Sequence, residues 1–297
     1  MEATFWTNTI WYLLLGLVSI VEIFVVIYHA DRKLFTFAYF LSILGLTFIF
    51  ETVVLIYLDS YEYFPKITKN PPLAFDDNLA GNVFSQVSVS ASALLYVIFN
   101  LRYYWVFIFA GIYGLVEELF LALNIYQHHW YRTWMTLVLI SIFFWIANMM
   151  YAKLKQGMKS IAYYLYILLA LFPLYTVLLL WGIFILFRIQ SFNTEWLSNP
   201  IWSRSSIVIM NYTVFSIIMI IIILKKLHWV IQAIVIFFLY LIYFTCYRLG
   251  WFVIRDGWFL VVSTVAIFWL YISVHFLDKA FGSSNKFHTF RTDPIDE

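Results

Sequence analysis

Val116-Glu117-Glu118-Leu119-Phe120-Leu121-Ala122-Leu123-Asn124-Ile125-Tyr126-Gln127-His128-His129-Trp130 begins as two adjacent carboxylates deep inside an apolar run and ends as two adjacent histidines at that run's polar edge. With the residues from Tyr103 onward it is long enough to cross a ~30 Å hydrocarbon core. A charged side chain at the centre of such a span costs roughly 2.5–3.5 kcal/mol, so an acid kept there marks a candidate functional site.

Outward from this stretch the pattern repeats. Apolar runs cover residues 5–28, 34–58, 79–101, 103–126, 133–152, 161–187, 205–224, 227–247 and 258–276. About nine spans, an all-α polytopic bundle, are therefore expected. Only 11% of the chain is charged, against about 25% in soluble domains. Trp and Tyr gather at the span ends as an aromatic belt. The net charge of +2 and the scattering of basic residues through loops give nucleic-acid binding no support. Cys246, the single cysteine, excludes an internal disulfide. The N-terminal segment lacks a basic leader and reads as a retained first helix.

Lys and Arg crowd the short loops at Arg32-Lys33, Arg102, Lys153 to Lys159 and Lys225-Lys226. By the positive-inside rule those loops are cytoplasmic, the N-terminus is outside and the C-terminus inside, in a multi-pass cell-membrane protein. Residues 1–278 read as a single transmembrane domain and 279–297 as a polar cytoplasmic tail. No internal repeat is legible. Polarity is uneven: the site is expected within 34–134, with 135–278 as scaffold. Pro173 should bend the sixth span by removing a backbone hydrogen bond.

The sign of the buried charges carries the functional reading. Glu22, Glu51, Glu117 and Glu118 lie within spans, and no Lys or Arg does as the spans are drawn. A carboxylate without a fixed cation stays protonated, accepts hydrogen bonds or meets a mobile cation. Glu118 is about nine residues below the outer end of its span, ~13 Å, and Glu51 about seven, ~10 Å, so they could share an outward pocket. Glu22 falls in the inner half of the first span and reads as structural. On an unbroken helix Glu117, Asn124 and His128 share one face and Glu118 and His129 the next. Eleven residues nevertheless span ~16 Å, too far for one coordination sphere unless the helix breaks near Asn124. A column of polar groups leading inward fits that spacing.

At the entrance to the third span, Asp76-Asp77-Asn78 suits a helix N-terminus. Asp77, Asn78 and Asn82 are also candidates to face the pocket, with Gln86 a turn further in, and with Asn124 they form the expected substrate-binding set. Gly81, Ser85, Ser88 and Ser92 form a small-residue packing stripe.

Glu117-Glu118-Leu119-Phe120 running into Ile125-Tyr126-Gln127-His128-His129-Trp130-Tyr131-Arg132-Thr133-Trp134, with Asp77-Asn78 and Gly81-Asn82, resembles a family of multi-pass membrane proteins of endospore-forming Gram-positive bacteria. The resemblance implies a bacterial plasma membrane and no particular activity. The Glu-Glu pair is also reminiscent of prenyl-endopeptidase-type intramembrane proteases. They carry an arginine four residues after the second Glu, where this chain has Ala122, and no properly spaced pair of transmembrane histidines follows; close membership is rejected.

The expected function is proton- or cation-dependent handling of a small solute or lipid. Glu117 or Glu118 would accept the cation, Glu51 would be the second carboxylate, and His128 and His129 would relay protons or ligate metal. The rivals are a metal-dependent intramembrane hydrolase or transferase, and an envelope or sporulation assembly protein.

Overall fold

The computed structural model describes residues 4–68, 70–157 and 160–285. Among them nine helices are long and apolar enough to cross a membrane: α1 (Phe5–His29), α2 (Lys33–Tyr57), α3 (Phe75–Ile98), α4 (Tyr104–Ala122), α5 (Thr133–Gln156), α6 (Ile161–Ile185), α7 (Pro200–Leu224), α8 (Trp229–Arg248) and α9 (Phe259–Asn285). The protein is thus an all-α polytopic membrane bundle. Among the described residues four three-residue strands interrupt it: β1 (Tyr61–Tyr63), β2 (Tyr126–His128), β3 (Gln190–Phe192) and β4 (Phe252–Ile254).

The chain forms two compact units, Met1–Gln156 and Gly157–Glu297. α9 continues through Lys279 to Asn285, and residues 286–297 lie outside those described.

The two units follow one plan, although no repeat is visible in the residues. After α1, the first unit runs helix, strand, helix, tight turn, helix, strand, helix, and the second unit does the same. In each, the strands pair antiparallel. Tyr61 faces His128 and Tyr63 faces Tyr126; Gln190 faces Ile254 and Phe192 faces Phe252. The backbone bonds beyond the strands match as well. Phe64 N donates to Ile125 O as Asn193 N does to Trp251 O, and His129 N to Ser60 O as Arg255 N does to Ile189 O. The tight turns correspond too: Leu101 N donates to Tyr96 O and Leu227 N to Ile222 O. The repeat lives in backbone hydrogen bonds, which leave no mark on side-chain identity.

Local chemistry sets the breaks. α4 ends at Ala122, four residues short of its expected limit, because Asn124 takes the left-handed conformation (φ 55°) that Asn tolerates better than most L-residues. Gly250 does the same after α8 at φ 72°. In both places the amide that follows closes the helix end, Ile125 N on Phe120 O and Trp251 N on Cys246 O. α2 widens into π-helical turns at Thr52–Tyr57, directly after Glu51. α6 widens at Phe172–Ile185, beginning beside Pro173, so the bend expected there is a change of helix type. α7 starts at Pro200 with Asn199 as its cap, the side chain accepting from Ile201 N at 2.8 Å. This earlier start encloses Arg204, buried within the second unit, which the expected boundary left outside the span.

Candidate functional site

In the first unit, α3 packs against both α2 and α5. Residues of these helices, of α4 and of the β1–β2 pair line a partly open cavity of about 240 Å³. Glu51 from α2 and Glu117 from α4 both line it, with Gln86 of α3 and Thr136 of α5. Tyr61, Tyr63, Tyr126 and Tyr131 form its wall toward the strands. Of its lining residues none is Lys or Arg.

Each acid is held by polar side chains. Tyr61 Oη donates to Glu51 Oε2 in a short contact, and Glu51 is 6% exposed. Glu117 meets His128 Nε2 at 2.6 Å through Oε1 and receives the Thr136 hydroxyl on Oε2. The two residues of the Glu117–His128 pair, eleven positions apart, touch because the chain reverses at Asn124. The polar column expected on a continuous helix is therefore replaced by a direct carboxylate–imidazole contact, through the break that spacing alone required.

The tyrosine wall is a packed cluster. Ring centroids lie 5.3 Å apart for Tyr61 and Tyr126, 5.0 Å for Tyr61 and Tyr131, and 4.9 Å for Tyr63 and Tyr126. Burial pushes all four phenols above their ordinary value, reinforced at Tyr61 by the Glu51 charge. They stay neutral and keep their O–H protons. α1 braces the cluster from behind: Tyr12 Oη donates to Ile125 O at 2.6 Å, and Asn8 Nδ2 to Phe64 O at 2.8 Å.

A second line of polar groups leaves the cavity. Tyr113, another lining residue, has its hydroxyl 2.9 Å from both Ser88 Oγ and Ser92 Oγ. Ser92 Oγ in turn lies 2.9 Å from Glu22 Oε2. One serine of the packing stripe, Ser92, thus connects the cavity to Glu22 on α1, the acid read from sequence as structural.

The other sequence candidates fall elsewhere. Glu118 is exposed on the other side of α4 and accepts the Thr133 hydroxyl at 2.5 Å. Asp77 organises the loop before α3, accepting from Lys66 N at 2.8 Å and Ile67 N at 2.9 Å. Asn78 accepts from Tyr63 N at 3.0 Å and so positions β1. Asn82 does not line the cavity but accepts from Gln86 Nε2 at 3.3 Å, which orients a residue that does. Asn124 makes the turn. His129 Nδ1 contacts Asp59 O at 2.8 Å beyond the end of α2. For metal ligation, Glu117 and His128 form a pair, and among the described residues no group of three His, Cys, Asp or Glu could hold an ion. A catalytic zinc site uses three protein ligands, so the pair suits a shared proton better than a metal.

Sequence reasoning missed Tyr61, Tyr126, Tyr131, Thr136 and Tyr113. The tyrosines are indistinguishable in sequence from the interfacial belt; strand pairing places Tyr61 and Tyr126, while Tyr131 follows β2 and Tyr113 lies on α4.

The second unit shows what the same frame holds without this chemistry. The same count back from Asn124 and from Gly250 gives Glu117 and Tyr243. Eight residues back from Asp59 and from Arg188, both left-handed, stand Glu51 and Leu180. Tyr61 and Gln190 hold corresponding positions in their two strand pairs, as do His128 and Ile254. Tyr243 is fully buried, donates to Gln190 Oε1 at 2.5 Å and packs on Phe252 at 4.8 Å. No family model, curated protein or solved structure matches this chain.

Proposed function

We propose that this chain is a plasma-membrane protein that handles a small solute or lipid in a proton- or cation-dependent way, at an outward-facing site built on Glu51 and Glu117. The observation that carries the reading is their convergence on one cavity. The repeated frame holds Leu180 and Tyr243 in their places, so the fold does not require acids there. Keeping two carboxylates in an apolar span without a fixed cation has a cost that a purely structural role would not repay.

The Glu117–His128 contact gives a proton acceptor a partner at the mouth. The Tyr113–Ser92–Glu22 chain gives the proton an exit toward the inner half of α1. Binding of a cation between the acids would displace a proton along either route, which couples the two species through one charge. The resemblance to membrane proteins of endospore-forming bacteria, and the Lys/Arg bias that puts the strands outside, agree with this assignment.

Infrared difference spectroscopy of the reconstituted protein, with pH stepped on the strand side, tests it. The expected result is a protonated-carboxyl band that disappears on raising pH and is lost in Glu51→Gln or Glu117→Gln. A spectrum without any titrating carboxyl band would make the acids packing elements and remove the proposal.

A further inference from the structure

The cavity that holds the two acids is otherwise a poor place for a bare metal ion. Its walls are aromatic and aliphatic, with Val89, Leu139 and Phe143 lining it beside the tyrosines. Its volume, about 240 Å³, is close to the lower end of the ~300–1,000 Å³ of small-molecule sites, and one water takes up only ~30 Å³. A hard cation needs several oxygens around it at 2.0–2.6 Å, and only two carboxylates reach this space.

The engaged oxygens narrow the choice further. Oε2 of Glu51 already accepts a hydrogen bond from the Tyr61 hydroxyl, and both oxygens of Glu117 are engaged, by His128 and Thr136. What the site offers a guest is negative potential and aromatic surface more than vacant acceptors. That combination suits a cation with no N–H to satisfy and a large, weakly hydrated surface. Aromatic side chains attract such cations within about 6 Å, worth ~0.5–2 kcal/mol for each desolvated contact.

We infer that the cavity between Glu51 and Glu117, walled by Tyr61, Tyr63, Tyr126 and Tyr131, binds a methylated organic ammonium. This rests on the cation-dependent reading above and specifies its substrate class. The same chemistry occurs on a free solute and on a choline-type lipid headgroup. The cavity is partly open, and Phe50 and Ile142 in its wall are 43% and 46% exposed, so an apolar body attached to the ammonium has somewhere to lie.

Binding of choline and of tetramethylammonium to the purified full-length chain in nanodiscs, measured by calorimetry, tests the inference. Both should bind, and Glu51→Gln and Glu117→Gln should each weaken them about tenfold, equivalent to ~1.4 kcal/mol. Tyr126→Leu removes the ring and should weaken binding as well. Sodium and magnesium should not displace choline. Choline binding blocked in phosphatidylcholine discs but present in phosphatidylglycerol discs would identify the headgroup source; equal binding in both would identify a free solute.

Ammonium binding unaffected by the Glu and Tyr substitutions would overturn the inference. So would its absence while the titrating carboxyl band persists, leaving the cation-dependent reading intact. Absence of both would remove the two together.

Discussion

At Asn124 the backbone turns left-handed at φ 55°, and this brings His128 back onto Glu117 instead of leaving it ~16 Å further along the helix. Asn124→Gly should therefore be tolerated, because Gly250 makes the same turn in the second unit. Asn124→Val puts a branched side chain where it costs ~1–2 kcal/mol and should lower the melting temperature in detergent and abolish the carboxyl band together. Tyr113→Phe removes only a hydroxyl. It should leave choline affinity unchanged while slowing proton release on choline binding, measured with a pH-sensitive dye; unaltered release would exclude the Ser92–Glu22 route.

Glu62, on β1 and outside the spans, has its carboxyl raised by burial, opposed by His129 and reinforced by Asp59. The folded state therefore holds that proton more tightly than the unfolded chain, so its stabilising contribution is present in acid and lost as pH rises through the raised value. Glu62→Gln should gain thermal stability relative to wild type at neutral pH and lose that advantage in acid. Partial exposure keeps the effect small.

Among the elements, the β1–β2 pair matters most, because six residues of strand place the tyrosine wall over the acids. An isolated two-stranded pair is marginal in water, and this one is held by α1 and α3. Asn78 fixes the Tyr63 amide, and Gly81 lets α3 approach β1: a Cβ there would lie 2.5 Å from Tyr63 Cβ and 3.2 Å from Tyr12. Gly81→Ala must push the strand outward and should cost about 1–3 kcal/mol, with a parallel loss of choline affinity, read by thermal melting and calorimetry. The sequence placed Gly81 in a stripe for close helix approach, and Tyr12 of α1 does lie against it; the strand residue Tyr63 is the neighbour it did not show. A three-residue strand carries no periodicity from which to foresee it.

For the whole molecule, orientation is testable through Cys246, the only cysteine and a buried one. On a Cys246→Ser background, Gln127→Cys at the strand end should be labelled by an impermeant maleimide from outside intact cells. Lys226→Cys, in the tight turn, should be labelled only after permeabilisation; the reverse pattern would invert the topology and make the cavity face the cytoplasm. The duplicated plan also predicts that Glu51→Leu combined with Glu117→Tyr, the residues of the second unit, yields a folded protein without ammonium binding.

What the sequence determined by itself is the set of spans and the location of the acids. Both follow from quantities that add along the chain: apolar length against bilayer thickness, and the cost of each charge within it. Glu51 and Glu117 were legible as candidates for that reason, as was the need for a break near Asn124 if Glu and His were to meet. Only the tertiary structure decided which acid enters the cavity, because Glu117 and Glu118 differ by one step of helix rotation and nothing in composition selects a face. The tertiary structure also decided the role of the tyrosines and the division into two units. Each depends on backbone pairing between segments far apart in sequence, Tyr61–Tyr63 with Tyr126–His128 and Gln190–Phe192 with Phe252–Ile254. Main-chain hydrogen bonds make those pairings, and side chains alone do not encode them.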